Sequence, residues 1–568
     1  MSAGPVEDRN TPGGPRIRGN DYTALTPPAI GSWTPSLTVT VVVPAYNGQD
    51  KLDLVLAGLS AQTYPQELLE VVVVDNGSAP PLRLGAIRPE LTRMVVCETP
   101  GRASARNAGL AAATGDVVHW LDSDVVLAPD EVEAHMRWHH LAPYLVVTSY
   151  LRFTGAPLPL PSALATALAD HGADGLAKLF EPAEPHQWLV DLLERTGGLV
   201  RDPHRAFSLH VGGATSVAAR LLKAAGPMDT DLILGQDTEL GYRLAQAGAV
   251  FVPDPQARGY HLGPSMRMRD KTSIDRVSHA YIGDRVPSYR WLRSHPARQW
   301  KVPYVRAIVE AAGYDDVRAT VDSLLGGTIP DLAVEVVGPW SRLDPERRAP
   351  LTDPDLDLVL IGGHYAHESR VRLAENEPEA TAAEPFRLRI PAGWAAGEES
   401  LARILDLARE QGHGLINVLL DEREDGVVAA RLERSAAFAR AAIVARPGED
   451  LDDVVDDTHG VLWVDGESYG FAAAAEAGPP IGRRSAYRAR MEAADEVARL
   501  KKEAERLRGQ IAKWRDEAGR WRKNAVEYRR EVGTLRRELA AAKKAQTVRR
   551  AGLAGSLRRA LRRRRRPE

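Results

Sequence analysis

Residues 117–130 read VVHWLDSDVVLAPD. Within them the apolar run Val117–Leu121 ends in Asp122-Ser123-Asp124. A short apolar run stopped by an acidic triplet predicts a buried parallel strand whose end opens into a loop. Ligands of open α/β sheets bind at the carboxyl ends of strands. Two carboxylates one residue apart at such an end can share a divalent cation that prefers oxygen ligands, Mg2+ or Mn2+. The competing reading is a solvated turn, because Asp and Ser are turn formers.

Outward from this stretch the pattern recurs. Leu37–Val43 predicts a strand stopped by Pro44, and Leu52–Ala61 has helical spacing. Leu69–Val74 predicts a second buried strand ending at Asp75, Met94–Cys97 a third, and Ala103–Ala113 a helix of small residues. Strands alternating with helices predict an α/β fold, a Rossmann-like, doubly wound and mostly parallel sheet. Acids thus mark two strand ends on the ligand edge, Asp75 and Asp122/Asp124. Arg102 and Arg106 lie on the first turns of the helix before Val117. Arg106 offers a fork to phosphate or covers the helix surface, and its position leaves both open. Farther on, Asp237 begins an expected helix, Thr238–Ala247. There the helix dipole favours a carboxylate at a pocket wall, although an N-cap role is equally simple. His261 follows an expected short strand, Val250–Val252, and a lone His there is more often an ordinary core or surface histidine.

Three segments carry a resemblance. VTVVVPAYNGQDKLDLVLAGLSAQTYPQELLEVVVVDNGS, GRASARNAGLAAATGDVVHWLDSDVVLAPDEVE and VGGATSVAARLLKAAGPMDTDLILGQDTELGYRLAQAGAVFVPDP resemble, in order, three blocks of the family 2 glycosyltransferases of GT-A fold. Together they cover most of 37–262. The resemblance implies a donor site built from Pro44, Ala45, Tyr46, Asn47, Asp75, Arg106 and Asp122. Tyr46 would stack on the base and Asp75 would accept from a base N–H. It implies Mg2+ or Mn2+ on Asp124, with Asp122 on the metal or the ribose and His261 completing the set. It implies Asp237 as general base of an inverting displacement, with Gly212, Gly213 and Gln236 on the acceptor side. The two glycines would let backbone approach the sugar closely. Gln236 departs from the Glu that the family more often has there, which removes one charge beside the base. Glu239 is expected to be structural. The segment 151–210, with Trp188, falls where an acceptor loop belongs.

The chain has 568 residues, too many for one core, so several domains are expected. We expect a disordered arm over 1–35, rich in Pro and Gly, and a GT-A domain over 36–285. A second α/β region follows over 300–480. No apolar run approaches a membrane span and no signal peptide is visible. The single cysteine, Cys97, fits a reducing compartment. The expected location is therefore cytoplasmic, with peripheral attachment to the inner face of the membrane. A net charge of −3 conceals an asymmetry. Residues 483–568 hold 29 Lys and Arg against 11 Asp and Glu, while the rest of the chain is acidic.

The second region overlays weakly on the first. VRAIVEAAGYDDVRATVDSLLGGTIPDLAVEVVG lies over the opening block, which sets Gly338 at Asp75. GLINVLLDERED laid over GDVVHWLDSDVV sets Arg423 at Asp124, and an arginine cannot bind a cation. A degenerate GT-A-like repeat is the expectation, and an unrelated α/β module the alternative. In the tail, Val497, Ala504, Ile511, Ala518, Ala525, Val532 and Leu539 recur every seven residues. Leu500, Leu507, Trp514, Trp521, Tyr528 and Leu535 follow three residues after each of the first six. These are a and d positions of a coiled coil over 487–545; self-association into a homo-oligomer is the expectation, with another chain or packing back on the body as alternatives. The basic tail, 546–568, reads as a binder of anionic membrane surface. Nucleic acid ranks below it, since no base-reading motif is visible.

The sequence therefore predicts a metal-dependent inverting transferase. It would move sugar from a nucleoside diphosphate, a UDP-sugar first, to a hydroxyl of a glycan, lipid-linked or metabolite acceptor. The rival is a non-catalytic scaffold using the coiled coil and basic tail.

Overall fold

The computed structural model describes residues 14–563, apart from 294–297, 345, 347, 348, 380–382, 425 and 477–482. The chain divides into two compact units, one up to Gly478 and one from Pro479. Among the described residues the first unit contains two large sheets and one two-stranded sheet.

The first sheet is built from β1 (Val39–Ala45), β2 (Leu69–Asp75), β3 (Thr92–Val96), β4 (Val117–Leu121), β5 (Val125–Leu127), β6 (Leu145–Thr154), β7 (Ala183–Pro185), β8 (Ala214–Ala218) and β9 (Val250–Leu262). Its order is β3-β2-β1-β4-β8-β6-β9-β5, with β7 on β6. Strands β3, β2, β1 and β4 are parallel, and β8 enters antiparallel beside β4. The inner strands are apolar on both faces, as parallel strands covered by helices must be. Val41, Val42 and Val43 of β1 and Val71 to Val74 of β2 are fully buried. This mixed, mostly parallel sheet with helices on both faces is the GT-A architecture.

Two expected boundaries move. Strand β1 runs through Pro44 to Ala45, because Pro44 and Ala45 still pair with Val74 and Asp75 of β2. The pairing with β4 ends at Val42, so the missing proline N–H falls where no β4 partner stands. Strand β9 does not stop at Val252. It continues to Leu262 past Pro253 and Pro255, absorbing them in a register shift against Ser149 and Tyr150 of β6. His261 therefore lies inside the sheet, opposite Val125 of β5.

The second sheet is built from β10 (Val305–Glu310), β11 (Leu332–Val337), β12 (Val371–Ala374), β13 (Phe386–Arg389), β15 (Leu415–Arg423), β16 (Gly426–Arg434) and β17 (Val461–Asp465), with β14 (Trp394–Ala396) and β18 (Phe471–Ala473) paired beside it. Its order, β12-β11-β10-β13-β16-β15-β17, repeats the first seven positions of the first sheet, strand for strand in sequence order. The directions repeat too: three parallel pairs, two antiparallel pairs, then one parallel pair. The second sheet thus repeats the strand order and directions of the first, and it is called the repeat below.

The registers correct part of the overlay. Val39 pairs with Leu69 and Val117, and Val305 pairs with Leu332 and Phe386. Counting from these pairs, Gly338 does fall at Asp75. However, Phe386–Arg389 is the counterpart of Val117–Trp120, so Pro391 and Gly393 stand at Asp122 and Asp124. The strand Leu415–Arg423 is the counterpart of β6, and Arg423 is not the counterpart of Asp124. The second sheet has no carboxylate at either position.

The arm expected to be disordered is, over residues 14–35, a strap across the unit; residues 1–13 lie outside the described residues. Ile17 is 1% exposed, which contributes roughly 2 kcal/mol of burial. The Asn20 amide bonds both ways to the Phe251 backbone, at 3.0 and 2.8 Å. Gly19 N donates to Thr458 O at 2.9 Å. Arg440 donates to the carbonyls of Ile17 and Gly19. One hydrophobic core joins Ile17, first-sheet residues such as Val146 and Phe251, and Leu415, Ala441 and Val455 of the repeat.

A closed polar cluster sits under the first sheet. His119 Nε2 lies 3.0 Å from Glu131, and both nitrogens of His135 lie 2.8 Å from serine hydroxyls, Ser216 and Ser149. Ser149 also bonds Glu131. These side chains are grouped closely enough for a metal ion, but each already has hydrogen-bond partners inside the core.

The second unit is dominated by one helix, Arg483–Arg563. Its 81 residues make a rod of roughly 120 Å. Leu507, Trp514, Trp521 and Tyr528, at expected d positions, are 46%, 70%, 74% and 67% exposed. The helix continues through the expected basic tail to Arg563, and residues 564–568 lie outside the described residues. Among the described residues no helix is long and apolar enough to cross a membrane.

Candidate active site

The carboxyl ends of β1, β2 and β4 bring the expected site residues to one edge. The loop after β1 is docked onto the loop after β2. Ala45 O accepts from Asn76 N at 2.9 Å, and Asn47 N donates to Ser78 Oγ at 2.8 Å. Asn47 itself is left-handed, with φ of 55°, a conformation Asn tolerates better than most residues. Asp75 is buried. Its Oδ1 accepts from Ser78 N at 2.9 Å and its Oδ2 from Leu82 N at 3.0 Å. Burial alone would raise this carboxyl, but the Ser78 hydroxyl and the two backbone N–H groups hold it below its ordinary value. Asp75 thus shapes the cleft wall with both oxygens. Tyr46, between Ala45 and Asn47 in the docked loop, is 68% exposed.

Arg106 is where expectation and structure part. It neither covers the helix surface nor stands open toward a phosphate; it is 3% exposed. Nη2 donates to Asp122 Oδ1 at 2.8 Å and to Gly212 O at 3.1 Å. Nη1 donates to Asp237 Oδ1 at 2.7 Å. One guanidinium therefore ties the strand-end acid to the helix-start acid. Gly212 makes room for it: a Cβ there would lie 2.0 Å from Nη2. The close approach Gly212 permits is to Arg106, rather than to a sugar. At Gly213 a Cβ would meet Leu151 at 3.2 Å and Asp122 Oδ2 at 3.8 Å. Burial pushes the Asp122 carboxyl up, Arg106 pulls it down, and Asp124 and Asp237 push it up again.

Asp124 faces a different set. Its Oδ1 lies 3.5 Å from His261 Nε2 and its Oδ2 lies 3.3 Å from Lys51 Nζ. The sheet itself places this pair, since Val125 pairs with His261 and Leu262 N donates to Asp124 O at 2.8 Å. His261 Nδ1 donates to Gly263 O at 2.8 Å, which leaves the Nε2 lone pair for a ligand. A carboxylate oxygen and an imidazole nitrogen at this separation fit two positions around one divalent cation. Lys51 also donates to Leu262 O at 2.6 Å, so an ammonium already neutralises the far side of Asp124. Asp122 is a poorer ligand, because its Oδ1 is bound by Arg106.

Asp237 lies on the helix Gln236–Gln246, which starts two residues earlier than expected behind the left-handed Gly235, φ 93°. Its carbonyl accepts from His210 Nδ1 at 2.8 Å. Its Oδ2 bonds to no described residue, and the side chain is 28% exposed. Gln236 is buried, and its Oε1 has no partner. Glu239 forks onto Arg243 at 2.6 and 2.7 Å, a structural contact along the helix.

Sequence reasoning missed Lys51, His210 and an aromatic row beside the Asp124 site. Lys51 carried no spacing signal. The row runs from His261 to Phe153 at 4.8 Å, to His186 at 5.3 Å and to Trp188 at 5.8 Å between ring centroids. Its members come from β9, β6 and the least legible segment, so only the folded sheet assembles it.

The fold and this edge define a glycosyltransferase of GT-A architecture. Residues 40–184 match the family model Glycosyl transferase family 2. The chain is similar to glycosyltransferase YfnE of Bacillus subtilis, 25% identical over 46% of this chain and 74% of that protein. It is similar to chondroitin synthase of Escherichia coli, 24% identical over 63% of this chain and 53% of that protein, so it spans about half of that relative. Among solved structures, a mannosyltransferase of Pyrobaculum calidifontis in complex with GDP-Man and Mn2+ is similar at 19% identity, over 46% of this chain and 68% of that one, with a TM-score of 0.30.

Proposed function

We propose that this protein transfers a sugar from a nucleoside diphosphate to an acceptor hydroxyl by an inverting displacement, with Asp237 as general base. The observation that carries the proposal is the Asp122–Arg106–Asp237 bridge. It holds a candidate base and the donor-side acid in one pocket beside the Asp124–His261 pair. Asp124 and His261 would hold Mg2+ or Mn2+, and Asp122 would act on the donor ribose or through the metal's water shell. When bound, the cation stabilises the charge that develops on the departing diphosphate. Tyr46 stacks on the base of the donor, a UDP-sugar in the first instance, and the Asp75 loop walls the cleft. Asp237 Oδ2, free in the pocket, takes the proton from the incoming hydroxyl of a glycan, lipid-linked or metabolite acceptor.

The test is donor hydrolysis by the full chain against UDP-, GDP- and dTDP-sugars with Mn2+ or Mg2+, water standing in as acceptor. We expect release from one donor, abolished by EDTA and by Asp124→Ala. Turnover that survives both treatments would overturn the metal assignment. No turnover, and no donor-induced shift in melting temperature, would favour the scaffold.

We further propose that the exposed heptad face of Arg483–Arg563 pairs the enzyme with a second copy. The basic end would then lie against anionic lipid at the inner face of the membrane. Such a device suits a lipid-linked acceptor. Sedimentation of the full chain is expected to give a dimer, and of a chain ending at residue 478 a monomer. Equal masses per particle for both would remove the coiled coil from the proposal.

A further inference from the structure

Between the two sheets lies a cavity of about 920 Å3, outside the site described above. Among the described residues its wall carries seven arginines against three acids, Asp21, Asp202 and Glu410. Asp202 pairs with Arg205, and Asp21 accepts from Thr23. Four of the arginines, Arg18, Arg195, Arg434 and Arg440, have no carboxylate ion pair among the described residues; Arg195 donates to the Asp191 carbonyl. Arg434 donates to the carbonyls of His413 and Ala408 at 3.0 and 2.6 Å, and lies 4.9 Å over the Phe386 ring. Arg440 donates only to carbonyls, including Ala249 O at 2.8 Å. Arg18 projects from the strap and is exposed. Cations gathered in a partly desolvated space without anions are costly, and a bound anion relieves that cost.

Neighbouring groups register the same field. Burial pulls His204 and His459 below their ordinary values, and the arginines pull both lower still. Burial without a paired anion brings Arg434 and Arg440 down to about 10.

The rest of the wall is aromatic. Trp188, Tyr289 and Trp291 line it, with Trp291 63% exposed. Flat apolar faces beside charge-assisted donors suit pyranose rings that bear anions. Trp188 is also the far end of the row that leads through His186 and Phe153 to His261, so the cavity wall adjoins the candidate active site.

We propose that this cavity binds an acidic saccharide, the already-built part of the acceptor, with its anions on Arg18 and Arg434 and its rings on Trp188 and Trp291. This rests on the transferase reading above. The repeat then serves as one wall of an acceptor site, which explains why it keeps the fold after losing the acids.

The experiment titrates the full chain with tetragalacturonate, maltotetraose and inorganic pyrophosphate, followed by tryptophan fluorescence and calorimetry. Tetragalacturonate is expected to bind and quench, maltotetraose not to bind, and Arg18→Gln to weaken binding at least tenfold. Arg18 is exposed, so the variant folds; Arg434→Gln is the second test of the same charge cluster. Pyrophosphate binding as tightly as tetragalacturonate, with the same loss in Arg18→Gln, would make phosphate the anion the saccharide carries. Equal binding of maltotetraose, unchanged binding in both variants, or no binding of either anion at millimolar concentration would overturn the proposal. Metal-dependent donor hydrolysis, with water as acceptor, is expected to be unchanged in Arg18→Gln. Loss of the saccharide site and loss of the transferase reading are thus separate results.

Discussion

Asp237→Asn is expected to lower metal-dependent donor turnover by about 10²–10⁴-fold, the range a positioned general base supplies. The substitution is nearly isosteric, and an amide Oδ1 still accepts from Arg106 Nη1, which the carboxylate binds at 2.7 Å. Arg106 also keeps Asp122 as a charged partner at 2.8 Å. The pocket therefore persists, and what disappears is the basicity of Oδ2. A donor-induced rise in melting temperature should be the same in the variant and the parent. Turnover within tenfold of the parent would remove Asp237 from the base role. Loss of the melting shift would make it a donor-binding residue instead.

Arg106→Met is expected to destabilise the first unit by about 3–5 kcal/mol, read from the midpoint of its urea transition. The change leaves the Asp122 and Asp237 carboxylates, both now bonded to one buried guanidinium, without a cation. It also leaves the Gly212 carbonyl without its donor. Lysine does not restore the arrangement, since one ammonium cannot reproduce the planar fork that reaches three acceptors. Adding Asp122→Asn should recover part of the loss, because it removes one of the two stranded charges. A cost below about 1 kcal/mol for Arg106→Met would mean that the bridge is solvated and that Arg106 does not hold the two acids together.

Much of this was legible in the chain. The strands around Val117–Leu121 announce themselves because buried parallel strands need unbroken apolar runs, and the acids at their ends interrupt those runs. Arg106 was legible as a residue but not as a contact. Its partners lie 16 and 131 residues away, and only the sheet order brings them together. The strap was illegible because it uses one buried apolar residue, Ile17, and backbone hydrogen bonds, neither of which leaves a period. The overlay agrees with the pairing registers where the repeat is apolar, at β10 and β11, and departs from them at β13. Phe386–Arg389 alternates apolar and cationic residues, with Arg387 and Arg389 both paired to Glu377. A strand made soluble by ion pairs does not look like Val117–Leu121, so a more apolar strand was aligned in its place.

The strap also bears on how this protein can be divided. Ile17, Gly19 and Asn20 bond to the first sheet through Phe251 and to the repeat through Thr458 and Arg440. Because those residues come from both ends of the unit, cutting between the sheets would leave each fragment with a raw apolar face and half of a shared lining. The family match over residues 40–184 marks the chemistry, but it is not a module that can be excised. The smallest piece that keeps its solvent boundary intact runs from the strap to the last strand of the repeat.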